Sequence, residues 1–257
     1  MIRFITDTWH LVVRLVRQTL RMPIWVLLSI VQPILWVLLF GQLFGAVTKL
    51  PGFGGGSYVQ FLAPGIAIMT AIFGAAYSGM GLLTDIDRGI LDRFLATPVR
   101  PGAILAARLI HTSLQVVLQA LIILVVAAFL GARPHGGIAG LLMVPVAAAL
   151  LGAAFAGFSN ALALIARKHE MVIGVMNFVV LPMTFLSSMI MARNVMPAWI
   201  RGAASFNPVD WAVMSARDGF EIGLRAALDW RFVLLAVFAL LCSTASTAAF
   251  HRYRRSL

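Results

Sequence analysis

The sequence predicts an all-α integral membrane protein with six transmembrane helices. Three observations carry the prediction. Of the 257 residues, 61% are hydrophobic and only 11% are charged, against about 45–50% and about 25% in average soluble domains. Mean hydropathy is +0.96, which means more apolar surface than a soluble sphere of this size can hide. The apolar residues also gather into stretches of about 20 or more, the length that crosses about 30 Å of hydrocarbon. Disordered chains lack such apolar mass. A disulfide scaffold is excluded because Cys242 is the only cysteine. The net charge of +11 would suggest nucleic acid for a soluble chain. On a membrane protein it marks the cytoplasmic face instead, and no nucleic-acid partner is expected.

The first 22 residues lack the n-region, apolar h-region and cleavage site of a signal peptide. Their polar residues Arg3, Asp7, His10, Arg14, Arg17 and Arg21 recur at alternating spacings of four and three, which is one stripe of a helix. Segment 1–22 therefore reads as an interfacial amphipathic helix along the inner leaflet, broken by Pro23. The stripe serves either as a basic lipid anchor or as a dock for a cytosolic protein.

Six spans follow, at 24–47, 58–83, 104–130, 138–166, 171–191 and 232–250. Every Asp, Glu, Lys and Arg lies outside them or at their ends, apart from Arg108. The whole of 1–257 is one transmembrane domain, with no room for a soluble catalytic domain. With both termini inside, thirteen of the twenty Lys and Arg residues fall on the cytoplasmic side, as the positive-inside rule requires. Five of the outer seven sit in segment 192–231, which is too long for a simple turn and has a helical pattern. Gly41 and Gly45, and Gly136 and Gly140, have the Gly-xxx-Gly spacing of close helix packing.

The first cytoplasmic loop is the most informative stretch. Ile86, Ile90, Leu91, Phe94 and Leu95 repeat at helical spacing. Asp85 with Arg88, and Arg88 with Asp92, stand at i,i+3 and i,i+4. Pro98 ends the pattern. The expectation is one amphipathic helix of about three turns, docked either in a groove of another protein or back on its own bundle.

No energy chemistry accompanies the spans. The two lysines, Lys49 and Lys168, are not in a P-loop. No mid-span charge marks an ion-coupled transporter, and His111 reads as a polar packing residue. Ser78 and Ser159 lack the partners of an intramembrane protease, and His169-Glu170 lacks the second histidine of a zinc-protease motif. No filter loop or charged ring marks a channel. These readings point to a partner that supplies energy.

Two patches then carry a family resemblance. One runs from Phe61-Leu62-Ala63-Pro64-Gly65 through Asp87-Arg88-Gly89 to Leu91-Asp92-Arg93-Phe94-Leu95-Ala96-Thr97-Pro98. The other is Phe206-Asn207-Pro208-Val209-Asp210-Trp211-Ala212, with Arg217 following. In these patches, their order and their spacing, the chain resembles the membrane subunit of ATP-binding-cassette exporters of the second permease type, close to the bacterial drug-resistance permeases.

The resemblance implies that segment 1–22 is the interface helix, with Arg3, Asp7, Arg14, Arg17 and Arg21. It implies that 85–97 is a coupling helix docking on a separate cytosolic ATPase through Asp85, Asp87, Arg88, Gly89, Leu91, Asp92, Arg93, Phe94, Thr97 and Pro98. Ile86-Asp87-Arg88 stands where many relatives carry a Glu-Arg-Glu type run. Segment 192–231 resembles the outer re-entrant hairpin, and its Trp199, Trp211 and Trp230 are interfacial in character.

The resemblance further implies a dimer with a second permease chain, identical or homologous, in a bacterial inner membrane. The path would be lined by spans one, two and five, where the candidates are Gln32, Thr70, Phe73, Tyr77, Ser78, Met176, Asn177, Met183, Thr184 and Phe185. Methionine and aromatic side chains suit varied apolar ligands. Asn177 and Gln32 are carboxamides that need partners in hydrocarbon. This chain binds no cofactor itself; ATP and Mg belong to the partner. The expected cargo is a lipophilic compound such as a drug or lipid. A lipid-linked glycan is the alternative within transport, and a channel or membrane scaffold is the alternative outside it.

Overall fold

The computed structural model describes residues 2–43, 58–97 and 99–255. Among them every regular element is a helix. The N-terminal helix α1 (Ile2–Leu20) precedes α2 (Pro23–Leu43). The second span is split into α3 (Tyr58–Ala76) and α4 (Ser78–Asp87), and a short α5 (Ile90–Leu95) follows. Next come α6 (Pro101–Phe129), the short α7 (Gly137–Leu141) continuing into α8 (Met143–Ala166), and α9 (His169–Phe185). A 3-10 turn, α10 (Ala198–Ala204), α11 (Pro208–Glu221) and α12 (Leu224–Ala227) lead to α13 (Trp230–Arg255).

Five helices are long and apolar enough to cross a membrane: Val26–Leu43, Tyr58–Asp87, Gly102–Phe129, Gly137–Ala166 and Trp230–Arg255. The chain is a multi-pass membrane protein. The expected fifth span, 171–191, is corrected to the shorter α9. Its last carbonyls are claimed by the Asn207 side chain, which donates from Nδ2 to Met183 O at 2.7 Å and to Leu186 O at 2.9 Å. The chain from Leu186 to Ala192 is then irregular, and Ser187, Ser188 and Met189 within it are buried in packed protein, the cover that non-helical backbone in a membrane protein requires.

The hub is α8, which touches α3, α4, α6, α11 and α13. Its buried surface is rich in alanine and glycine, including Ala147, Ala148, Gly152, Ala154 and Ala156. Small side chains let several helix backbones approach one axis. Gly136 and Gly140 serve the same purpose. A Cβ on either would fall 2.0 and 2.2 Å from Gly219 O, so both hold α11 against the start of α7. Gly41 lies against Val59, at 3.0 Å for an added Cβ, while Gly45 lies outside the described residues.

A second apolar cluster sits at one end of the bundle. It joins Leu11 and Val12 of α1, Leu82, Leu91, Leu164 and, from the C-terminal helix, Phe250 and Tyr253. The N-terminal helix, both loops at this end and the C-terminus are therefore packed together.

The expected single helix over 85–96 is corrected to two pieces. Asp85 to Asp87 complete α4, and Gly89 at φ +64° breaks the helix before α5. That left-handed backbone suits glycine. The split re-aims the residues after it. Leu91 is buried, Phe94 and Leu95 are half-buried against the chain's own bundle, and Arg88, Asp92 and Arg93 are exposed. Neither expected pair forms among the described residues: Asp85 turns inward to arginines of other helices, and Arg88 and Asp92 make no ion pair, while Asp87 meets His169 at 3.0 Å.

Candidate functional site

Three connected features form the site: a polar cleft, an ionic cluster at its floor, and a charged helix face beyond it. The cleft lies between α2 on one side and α3, α4 and α6 on the other. Two adjoining cavities of about 560 and 580 Å³ share Ser29, Gly74 and Tyr77 in their walls. The half farther from the termini is mostly apolar, with Pro33, Trp36, Ile66, Met69 and Phe73. The half nearer the termini is polar, with Ser78, Thr84, Arg108, His111, Thr112 and Gln115.

A stripe along α6 supplies much of that polarity. Arg108, Thr112, Gln115 and Gln119 stand at i, i+4, i+7 and i+11, which is one face of a helix. Thr112 Oγ1 meets Ser78 Oγ at 3.2 Å, and His111 Nε2 meets Thr19 Oγ1 at 3.0 Å. Pro33 cannot donate to the carbonyl of residue 29, four positions back. Gln119 Nε2 reaches that freed Ser29 oxygen at 3.5 Å, while the Gln119 Oε1 is buried without a partner.

The floor is the buried carboxylate of Asp85. It accepts from Arg108 on one oxygen and from Arg14 Nη2 on the other, at 3.2 Å. Arg108 also donates to Gly81 O at 3.0 Å. Two guanidiniums on one carboxylate keep each ion paired, without which burial would be prohibitive. Arg14 further lies over the Phe94 ring, 5.0 Å from its centroid. It thus links α1, the end of α4 and α5. Asp7 accepts the Arg100 N–H at 3.4 Å, tying α1 to the chain just past α5.

At the opposite end, α11 braces the irregular segment. Asn207 caps α11 by accepting the Val209 N–H at 3.0 Å while its amide holds the end of α9. Asp210 accepts the Ser188 N–H at 2.7 Å and faces Arg193 at 3.7 Å. Arg217 donates to Phe61 O at 3.3 Å and Ser188 O at 3.1 Å, and its guanidinium sits 3.7 Å from the Phe61 ring centroid. Burial pulls the Arg217 guanidinium down to about 10, while Asp210, Glu221 and Asp218 hold it up, so it is a cation at neutral pH. Both sequence patches that carried the resemblance meet here, since Phe61 and Gly65 belong to one and Asn207 to Arg217 to the other.

Gln32, Thr70, Phe73 and Tyr77 line the cleft together, and Ser78 lines its polar half. Tyr77 O–H donates to Asn177 Oδ1 at 2.6 Å, which supplies the partner that the carboxamide needs. Met176 and Thr184 are buried on the inner face of α9, Met183 is half-buried, and Phe185 is exposed, so these four are not brought to the cleft. Arg17 on α1 and Arg21 just past its end are exposed, and Arg14 turns inward. The side chain of Arg3 and the whole of Pro98 lie outside the described residues. The reading of residue types missed Gln115, Gln119 and the Asp85–Arg108 pair. The eleven-residue polar spacing on an otherwise apolar helix was the signal that would have found the stripe.

Comparison with known proteins identifies the family. The family model described as ABC-2 type transporter matches residues 6–221. The chain is 28% identical over 226 residues to the daunorubicin resistance ABC transporter permease protein DrrB1 of Streptomyces coeruleorubidus, covering 84% of this chain and 77% of that one. It is 32% identical over 231 residues to the putative transport permease ycf38 of Pyropia yezoensis, with 86% and 75% covered. It is 25% identical over 234 residues to the inner membrane transport permease YadH of Escherichia coli K12, with 86% and 88% covered.

Proposed function

The chain belongs to the ABC-2 type transporter family, and on that premise we propose that it is the permease subunit of an ATP-driven exporter of a lipophilic compound. The observation that carries this reading is the connection from a charged surface helix to an internal cleft. The apolar side of α5 rests on the chain's own bundle, and Arg88, Asp92 and Arg93 remain exposed. That face docks on a cytosolic ATPase subunit, which holds ATP and Mg. A push on α5 reaches Arg14 through Phe94, then Asp85 and Arg108, and so the wall of the cleft.

In this reading the packed end of the bundle is cytoplasmic, with both termini inside a bacterial inner membrane, and α1 lies along the inner leaflet. Its exposed Ile5, Trp9 and Leu20 then enter lipid. The helices of 192–231 form the outer re-entrant hairpin, α9 is the fifth of six crossings, and a second permease chain completes the path. Drug-resistance relatives such as DrrB1 support a drug- or lipid-like cargo.

The test uses inside-out vesicles from cells producing the chain with or without its P-loop ATPase partner. Accumulation of a lipophilic fluorescent compound should need ATP, the chain and the ATPase together. Accumulation or leak that needs only this chain would make it a channel and overturn the proposal.

A further inference from the structure

The cleft has a chemical polarity that selects among lipophilic cargoes. No Asp or Glu lines either cavity. The acid beneath the polar half, Asp85, is bound by both Arg14 and Arg108, so the cluster keeps one net positive charge. Higher up, Gln119 is buried, lines the apolar cavity, and has an acceptor oxygen without a partner. An orphaned buried acceptor is destabilising, and a donor group on an occupant would relieve it. Arg108 and Gln119 stand eleven residues apart on α6. At about 1.5 Å and about 100° per residue, they are about 16 Å apart on nearly the same face. Between them the cleft is lined by Tyr77, Ser78, Thr112 and Gln115, and around and beyond Gln119 the walls are largely apolar, with Trp36, Met69 and Phe73.

We propose that the cleft takes an anionic amphiphile, its acidic head beside Arg108 and His111 and a hydroxyl or amide of its body donating to Gln119, in preference to a cationic one. The inference rests on the cleft being part of the transport path, and it adds the charge of the cargo. An acidic head gains from the excess positive charge at the floor. A cationic head meets the same charge with no carboxylate free to receive it, and its desolvation is uncompensated.

The test measures binding to the full chain in nanodiscs of neutral phosphatidylcholine. The probes are dansyl-undecanoate, its neutral methyl ester and a trimethylammonium analogue of equal length. The carboxylate should bind about tenfold or more tightly than the ammonium, because a single charge at about 8 Å is worth that much at an intermediate dielectric. Asp85→Asn and Arg108→Gln break the same ion pair, so damage to the fold weakens binding in both. The charge account instead moves them apart. Asp85→Asn should tighten carboxylate binding about three- to tenfold, Arg108→Gln should weaken it by a similar factor, and the ester should change less than about twofold. Equal binding of all three probes, or both variants moving the same way, overturns the proposal.

Gly74→Phe fills the cleft where Gly74 faces Gln119. If the probes bind equally and Gly74→Phe abolishes all of them, the charge preference fails and the path reading stands. If Gly74→Phe leaves all binding unchanged, both fail. Displacement of the carboxylate probe in phosphatidylglycerol nanodiscs would make membrane lipid the source of the anionic amphiphile. Persistence of the probe there would make the source a non-lipid compound.

Discussion

Asn207 holds more of the bundle end remote from the termini together than its size suggests, and removing its amide should be costly. The residue is buried, and its side chain makes three hydrogen bonds, two to the carbonyls of Met183 and Leu186 and one from the Val209 N–H. Asn207→Ala loses an N-cap worth about 1 kcal/mol. It also strands two carbonyls at the end of α9, for about 1 kcal/mol each after partial rehydration. The expected loss is about 3 kcal/mol, or about 6–12 °C in melting temperature for a chain of this size. Asn207→Ser keeps a cap acceptor but loses the donors, so it should fall between wild type and alanine. Asn207→Asp presents a carboxylate to two carbonyls and should be no better than alanine. The assay is thermal loss of the monodisperse peak in detergent, read by fluorescence-detected size-exclusion chromatography. An alanine variant within about 1 °C of wild type, or an aspartate variant equal to it, would refute the bracing role.

Other positions give sharper tests of single contacts. Gly65→Leu should reduce folded yield severely, because even its Cβ would fall 2.3 Å from Met189 O; detergent-solubilised yield measures this. Gly89→Val should cost about 1–2 kcal/mol because φ is +64°, and should lower ATPase co-purification, whereas Gly89→Asn should retain most of both. Arg217→Lys should melt several degrees below wild type. A lysine keeps the charge but cannot reach Phe61 O and Ser188 O while stacking on the Phe61 ring.

The membrane class and most helix positions were legible because hydrocarbon demands long apolar runs. Periodicity within those runs was harder to use, since a helix in lipid is apolar on every side. The α6 stripe was therefore overlooked, although its spacing was visible in the residue order. The 85–96 helix was misjudged for a different reason. The apolar repeat continues on both sides of Gly89, so the one signal of a break, the glycine itself, is outweighed by the periodicity around it. The end of α9 was equally hidden, because Asn207, which terminates it, lies some twenty residues further along. Asp85 carried the strongest misdirection. The i,i+3 spacing pairs it with Arg88, yet its partners Arg14 and Arg108 come from helices on either side in the sequence.

The central claim is that the exposed charges around α5 pass work from a separate ATPase to this chain. The direct measurement is ATP hydrolysis by the reconstituted complex of permease and ATPase, with Arg88→Glu and Asp92→Arg combined. Both side chains are exposed and make no ion pair among the described residues, so the permease itself should melt within about 1–2 °C of wild type. The account predicts that the combined charge reversal reduces co-purified ATPase and cargo-stimulated hydrolysis by at least about tenfold. A double variant that assembles and hydrolyses ATP as the wild type does would contradict it.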